Sequence, residues 1–216
     1  MKRVIVLVTV ILVAVMTSNA QYFVSGSVGM DFTSGKSKIG NTSTDHPSTF
    51  LFNISPSLGY YLNDKFAIGV EAGIERLAEN YKNSSKQKYF ATTWGIGALA
   101  RYHLVEVNDI TLLLKGTLGF QSYKEKSKYS TTSYEDDPVN LIGLFVLPAL
   151  SYNLTERLSI EVDCDFLRLG CFRYSQKSGN TKTIGNYFGF GANYGDSEVL
   201  KSYMSNIFAI GIVYKF

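Results

Sequence analysis

The chain has 216 residues and a formal net charge of +3 at pH 7, from 21 Lys and Arg against 18 Asp and Glu. That balance lacks the basic excess of a nucleic-acid-binding surface, and two cysteines exclude a disulfide framework. The aromatic load is high, with 15 Tyr, 14 Phe and 1 Trp.

The first twenty residues, MKRVIVLVTVILVAVMTSNA, run from Lys2 and Arg3 through an apolar stretch, Val4 to Met16, to Ser18 and Ala20. Charged, apolar and small in that order is the layout of a secretory signal peptide. The apolar stretch is too short for a transmembrane helix, which needs about 20 residues. Residues 1–20 are therefore expected to be a signal peptide cut between Ala20 and Gln21, and residues 21–216 a single domain. Such a leader hands the chain to the export machinery and the periplasm.

From there the sequence alternates. Eight ladders place an apolar side chain at almost every second position, the signature of a β-strand face. In chain order they start Tyr22, Val24, Val28, Met30, Phe32; then Phe50, Phe52, Ile54, Leu58, Tyr60, Leu62; then Phe66, Ile68, Val70, Ala72, Ile74. Next come Trp94, Ile96, Ala98, Ala100, Tyr102, Leu104, and Ile110, Leu112, Leu114, Leu118, Phe120. The last three are Ile142, Leu144, Val146, Leu150, Tyr152, Leu154; Leu158, Ile160, Val162, Cys164, Phe166; and Phe208, Ile210, Ile212, Tyr214, Phe216. Each is about the 9–11 residues that a tilted strand needs to cross a bilayer. Three crossings within 183–216 would leave too little chain for their turns, so the count stays at eight.

Connections alternate in length. Residues 63–65, 105–109 and 155–157 are short; 35–48, 78–88, 124–138 and 170–202 are long and polar. Short turns at one end and long loops at the other describe an up-and-down barrel in a membrane. PSLGYYLNDKFAIGVE, from Pro56, returns as PALSYNLTERLSIEVD, from Pro148. The repeat reads as two matching hairpins of one barrel.

Alternation does not say which face looks inward. The polar face carries Glu71, Glu75, Arg101, His103, Lys115, Glu161, Asp163 and Asp165 among small residues such as Gly69, Gly73, Gly95, Gly97 and Gly119. Charges beside glycines suit the narrow interior of eight strands, whereas glycine on a solvent face only weakens a strand. Tyr60, Tyr102, Tyr152 and Tyr214 all fall beside the short-turn end. There they would form an aromatic girdle, ring in lipid and hydroxyl in water. The fold class expected is all-β, an eight-stranded antiparallel up-and-down transmembrane β-barrel.

The chain closes on AIGIVYKF. Gly211, Tyr214 and Phe216 resemble the C-terminal assembly signal of bacterial outer-membrane barrels, although Ala209 stands where those carry a polar residue. The whole of 21–216 resembles the small OmpA/OmpX-type barrels and, in loop style, the porin-family barrel proteins of Bacteroidota. The resemblance implies the outer membrane of a Gram-negative cell, the outer-membrane insertion machinery as a partner, and a last strand pairing with the first. A free edge in lipid would leave backbone groups unsatisfied.

Within the barrel, Glu71, Glu75, Arg101, Lys115, Glu161, Asp163 and Asp165 are expected to form a lumen charge network, with Glu71 to Arg101 across neighbouring strands as its leading pair. Buried charges need partners, so the network reads as a plug ahead of a gate. Glu161, Asp163 and Asp165 share one face of one strand and could hold a cation, but the nearby bases suffice, and no metal or cofactor is expected. His46 with Asp45, Ser48 or Glu135 to Asp137 could imitate a rim-active hydrolase or acyltransferase; the alternative is a solvated loop histidine. Cys164 and Cys171, seven apart, would stand about 23 Å apart on one strand, beyond the roughly 7 Å of a disulfide. Lys36, Lys38, Lys82, Lys86, Lys88, Lys124, Lys126 and Lys128 would face outer-membrane lipid and anionic lipopolysaccharide. GNYFGFGANYG (185–195) lacks the lysine and the strand–helix setting of a phosphate loop, and reads as a hairpin extension. The function expected is a monomeric, non-enzymatic barrel with a structural or surface-interaction role, then a narrow porin-like conduit, then a lipid-modifying enzyme.

Overall fold

A computed structural model of the protein describes residues 22–39, 42–81, 87–129, 132–190 and 208–216. The signal-peptide reading, with Ala20 and Gln21, lies outside them, as do Lys82 and Lys86. Among the described residues there are thirteen strands: β1 Tyr22–Thr33, β2 Lys36–Ile39, β3 Thr42–Asp45, β4 Ser48–Tyr61, β5 Phe66–Asn80, β6 Lys88–Val107, β7 Ile110–Tyr129, β8 Thr132–Glu135, β9 Val139–Asn153, β10 Leu158–Cys164, β11 Leu169–Ser178, β12 Thr181–Phe190 and β13 Phe208–Lys215. Eight close a ring in the order β1, β4, β5, β6, β7, β9, β10, β13 and back to β1, every pair antiparallel. Ring closure removes the free edge that lipid cannot tolerate.

The short turns share one end. In the β4–β5 turn, Asn63 Oδ1 accepts from the N–H of Lys65 and of Phe66, both at 2.9 Å. In the β9–β10 turn, Thr155 Oγ1 accepts from the N–H of Arg157 and of Leu158 at 3.2 and 3.0 Å. Leu62 N–H reaches Phe66 O, and Leu154 N–H reaches Leu158 O, each at 2.8 Å. The sequence repeat thus encodes one turn twice: a side-chain oxygen at the same position stands in for a backbone acceptor. The β6–β7 turn is tighter. Asn108, at φ 53, takes the left-handed conformation that asparagine tolerates.

Outward side chains are the even-numbered apolar ladders, and they stay open: Ile96 and Leu118 are each 58% exposed. A water-soluble barrel would hide them; lipid supplies the missing partner. The inward face is mixed. Arg101, Glu161 and Asp163 are buried there, and so are Phe23, Leu51, Leu99, Leu113, Leu141, Phe145 and Phe172. The charges and glycines read from the sequence thus share the lumen with large apolar side chains that the sequence reading did not place there. Runs such as LIGLFVL (141–147) are apolar on both faces, and period two then marks neither.

The strands also overrun the bilayer. β6 and β7 have 20 residues each, about twice a crossing. Residues 78–80, 88, 124–129, 132–135, 170–178 and 181–190 are strand rather than loop, because β5, β6 and β7 continue upward, β8 pairs with the top of β7, and β11 with β12 form a hairpin on β9. Above the lipid the outer face turns largely polar, so the apolar ladder there breaks off while the hydrogen-bonded ladder continues.

One wall is broken. β10 ends its pairing with β9 at Asp163 opposite Ala149, and β11 resumes it at Leu169 opposite Val146. Residues 164–168 face only 147 and 148, and 165–167 coil into a single 3-10 turn. The odd excess switches the face: Glu161 and Asp163 point in from β10, Gly170 and Phe172 from β11. Asp165, expected on one strand with Glu161 and Asp163, lies past the end of β10 and opens the 3-10 turn.

Candidate functional site

Nearest the short turns, the barrel is stoppered by an apolar cluster of Phe23, Ala67, Leu99 and Val213, with Tyr61 packed on it. Phe23 meets Tyr61 edge to face at 5.4 Å between centroids. Its ring lies flat on the wall at Gly59, where an added Cβ would fall 2.4 Å from it. Glycine is needed there for that close approach.

The charge layer packs against this cluster, Arg101 pairing level with Ala67. Arg101, 2% exposed, holds its guanidinium 4.9 Å from the Phe23 ring centroid and ion-pairs with Glu161. Lys115 Nζ donates to both Asp163 oxygens at 2.9 and 2.8 Å and stands 3.7 Å from Glu161. Two bases and two acids, drawn from β6, β7 and β10, form one chain across the interior. Charges taken out of water persist only when matched in this way.

The expected Glu71–Arg101 pair is not the one formed. The β5–β6 register sets Arg101 opposite Ala67 and Glu71 opposite Gly97, four residues higher. Counting heights from each short turn missed this, because β6 continues below the β4–β5 turn to Val107. Glu71 and Glu75 instead line a cavity of about 180 Å³ above the charge layer, with Lys115, Thr117, Asp163 and Arg168.

Arg168 had no place in the sequence reading. It follows the 3-10 turn, and the face switch there turns it into the lumen, with its guanidinium carbon 5.8 Å from the Phe145 centroid. A continuous ladder would have put it outside, in lipid; a lone arginine amid Phe166, Leu167 and Leu169 was the available signal.

A second apolar cluster borders the cavity, which Phe145 helps to line. Phe145, Phe172 and Leu141 pack with Tyr174 and Tyr187, Phe172 stacking on Tyr187 at 4.9 Å. Beside them Tyr123, Ala91 and Val139 pack with Leu77 and Tyr89, and the Tyr89 and Tyr123 hydroxyls share a 2.8 Å hydrogen bond.

A family model described as "Outer membrane protein beta-barrel domain" matches residues 5–216. The chain belongs to that family. The barrel therefore sits in the outer membrane. Among solved structures it is similar to Neisserial surface protein A (15% identity, TM-score 0.38) and to Ail, the attachment invasion locus protein of Yersinia pestis (14%, 0.39). It is also similar to a major outer membrane protein from Thermus thermophilus (13%, 0.44). Each comparison covers 92% of this chain and 100% of the other. No curated protein matches the chain.

The girdle tyrosines stand on the outer face of the barrel. Tyr102, Tyr152 and Tyr214 are exposed, and Tyr60 packs against Tyr22 at 5.0 Å. At the seam, β13 pairs with β1 from Phe23–Lys215 to Val28–Ile210, and Phe216 N–H donates to Tyr22 O at 3.0 Å. Gly211 lies opposite Ser27, where a Cβ would come 2.9 Å from Gly26 O. Tyr214 and Phe216 meet edge to face at 5.0 Å.

The remaining candidates separate. His46 is exposed on the β3–β4 connection, its N–H bound to Gly35 O at 2.9 Å. Glu135 lies on β8 and gives its carboxylate to Lys124 and Lys126 at 2.6 and 3.2 Å. No disulfide joins Cys164 and Cys171. Among the described residues no cluster of His, Cys, Asp and Glu could hold a metal.

Proposed function

We propose that the protein is a closed outer-membrane barrel that neither conducts nor catalyses, and that works by presenting a strand-built platform to partners at the cell surface. One observation carries the reading: apolar clusters around Phe23 and Phe145 and the matched charges of Arg101, Glu161, Lys115 and Asp163 occupy the lumen, while the wall continues past the bilayer. A conduit needs continuity along its axis, and these side chains stand in its way. The Glu135 carboxylate, engaged by Lys124 and Lys126, supports the non-enzymatic part.

The test removes the platform and keeps the barrel. Residues 176–183 at the β11–β12 tip are replaced by an Asn-Gly turn, and proteoliposomes carrying either form are compared for adhesion to protein-coated and glycan-coated surfaces. The reading expects the trimmed barrel to fold and to lose adhesion; equal adhesion by both forms contradicts it. The cavity of about 180 Å³ favours a second reading, a narrow conduit opened by a rearrangement of the Arg101–Glu161 layer.

A further inference from the structure

On the outer wall of β5, β6 and β7, the side chains change abruptly at one height. The row Ile74, Trp94, Ser122 ends the apolar belt, and Trp94 packs on Phe120 at 5.5 Å between centroids. The next row is Arg76, Thr92, Lys124; then come Ala78, Phe90, Lys126 and Asn80, Lys88, Lys128. Thr92 stands ten residues above the girdle residue Tyr102 on β6. At about 3.3 Å per residue and a tilt of about 40°, that is roughly 25 Å of height, the thickness of the lipid-facing band. The bases therefore begin where the outer-leaflet headgroups begin.

They are also gathered. Arg76, Lys124, Lys126 and Lys128 line a groove of about 290 Å³ floored by Phe90. Arg76 and Lys128 flank the Phe90 ring at 5.9 and 5.7 Å from its centroid. Lys124 and Lys126 are held side by side by the Glu135 carboxylate. The groove's other acid, Glu125, accepts from Tyr123 OH. Asp136 and Asp137 follow Glu135 on the same segment.

We infer that this groove is a docking site for a phosphate-bearing glycolipid of the outer leaflet. The phosphate lies among Arg76, Lys124 and Lys126, and an acyl chain runs down over Trp94, Ile96 and Phe120. A soluble anion would meet the same charges, but it has no use for the apolar strip directly beneath them. The inference goes beyond the platform reading and is independent of whether the lumen conducts.

Trp94 is the single tryptophan of the chain and borders the groove, so its emission reports occupancy. The refolded barrel in detergent micelles is titrated with phosphorylated lipid A, with dephosphorylated lipid A and with inorganic phosphate, folding being checked by heat-modifiable migration. The expected result is a saturable Trp94 shift with phosphorylated lipid A alone. Arg76→Gln, Lys124→Gln and Lys126→Gln together should weaken it about 100-fold, and each single change a few-fold, as expected for bases near a charged lipid surface. The single changes carry the test if the triple variant does not refold. No shift with phosphorylated lipid A, an equal response to dephosphorylated lipid A, saturation by inorganic phosphate alone, or unchanged affinity in the variants would overturn the inference.

Discussion

Arg101 of β6 and Glu161 of β10, 60 residues apart in the chain, meet inside the barrel as a buried ion pair. Lys115 ties the pair to Asp163, so one layer links three strands across the lumen. Breaking a buried pair leaves an uncompensated charge and costs about 3–5 kcal/mol. Arg101→Ala should therefore lower the denaturant midpoint of the folded barrel substantially, and Glu161→Gln should do the same. Arg101→Met with Glu161→Leu, which removes both charges, should recover most of the loss. Tryptophan-detected unfolding in lipid vesicles measures all three.

Two glycines should respond differently to the same added methyl. At Gly59 a Cβ would meet the Phe23 ring at 2.4 Å and the Ile68 carbonyl at 2.5 Å, so a rigid strand has to shift. At Gly185 its near neighbours are the outer atoms of the Tyr174 ring, which can swing aside. Gly59→Ala should cost about 1–3 kcal/mol, as overpacking does. Gly185→Ala should cost clearly less, and unfolding midpoints reversing that order would contradict the packing described.

Seam and assembly signal can be separated. Phe216 contributes one backbone bond to β1 and a ring contact with Tyr214. Phe216→Ser should thus refold in detergent almost as wild type. If Gly211, Tyr214 and Phe216 are read by the insertion machinery, the same variant should reach the outer membrane of cells poorly. Equal yields in both settings would remove that role.

Glu135 offers a pH dependence above the membrane. Hydrogen bonds from Lys124 and Lys126, and their charges, hold its carboxyl below the usual carboxylate value of 4.5. A depressed value means that the tie of β8 to β7 is complete at neutral pH. It begins to weaken as pH falls past 4.5 and is lost below the depressed value. Amide protection at β8, taken relative to the intrinsic exchange rate at each pH, should fall through that acid window in the wild type, whereas Glu135→Gln should show low protection at every pH.

Most of the architecture was legible because lipid enforces it. Ladders such as Trp94 to Leu104 must face out, turns such as 63–65 must be short, and Phe216 must find β1. The repeat from Pro56 and Pro148 even carried its turn chemistry in Asn63 and Thr155. What was hidden is set by register and by strand irregularity. Glu71 and Arg101 look level when counted from separate turns, yet pairing sets them four residues apart. Phe166 extends the outward ladder of β10 in sequence, but the 3-10 turn at 165–167 swaps the faces there and brings in Arg168. The aromatic stoppers escaped notice because Phe145 and Phe172 lie in segments apolar on both faces. The basic groove escaped because Lys124 and Lys126 read as loop, and Arg76 falls between the third ladder and the loop after it.

The central claim is that the lumen is closed, and planar-bilayer conductance tests it most directly. Refolded barrel with heat-modifiable migration is inserted, and current is recorded for wild type and for Arg101→Ala. The account predicts insertion without discrete current steps in the wild type. Regular single-channel steps in the wild type, changed in size by Arg101→Ala, would contradict it and make the charge layer a gate.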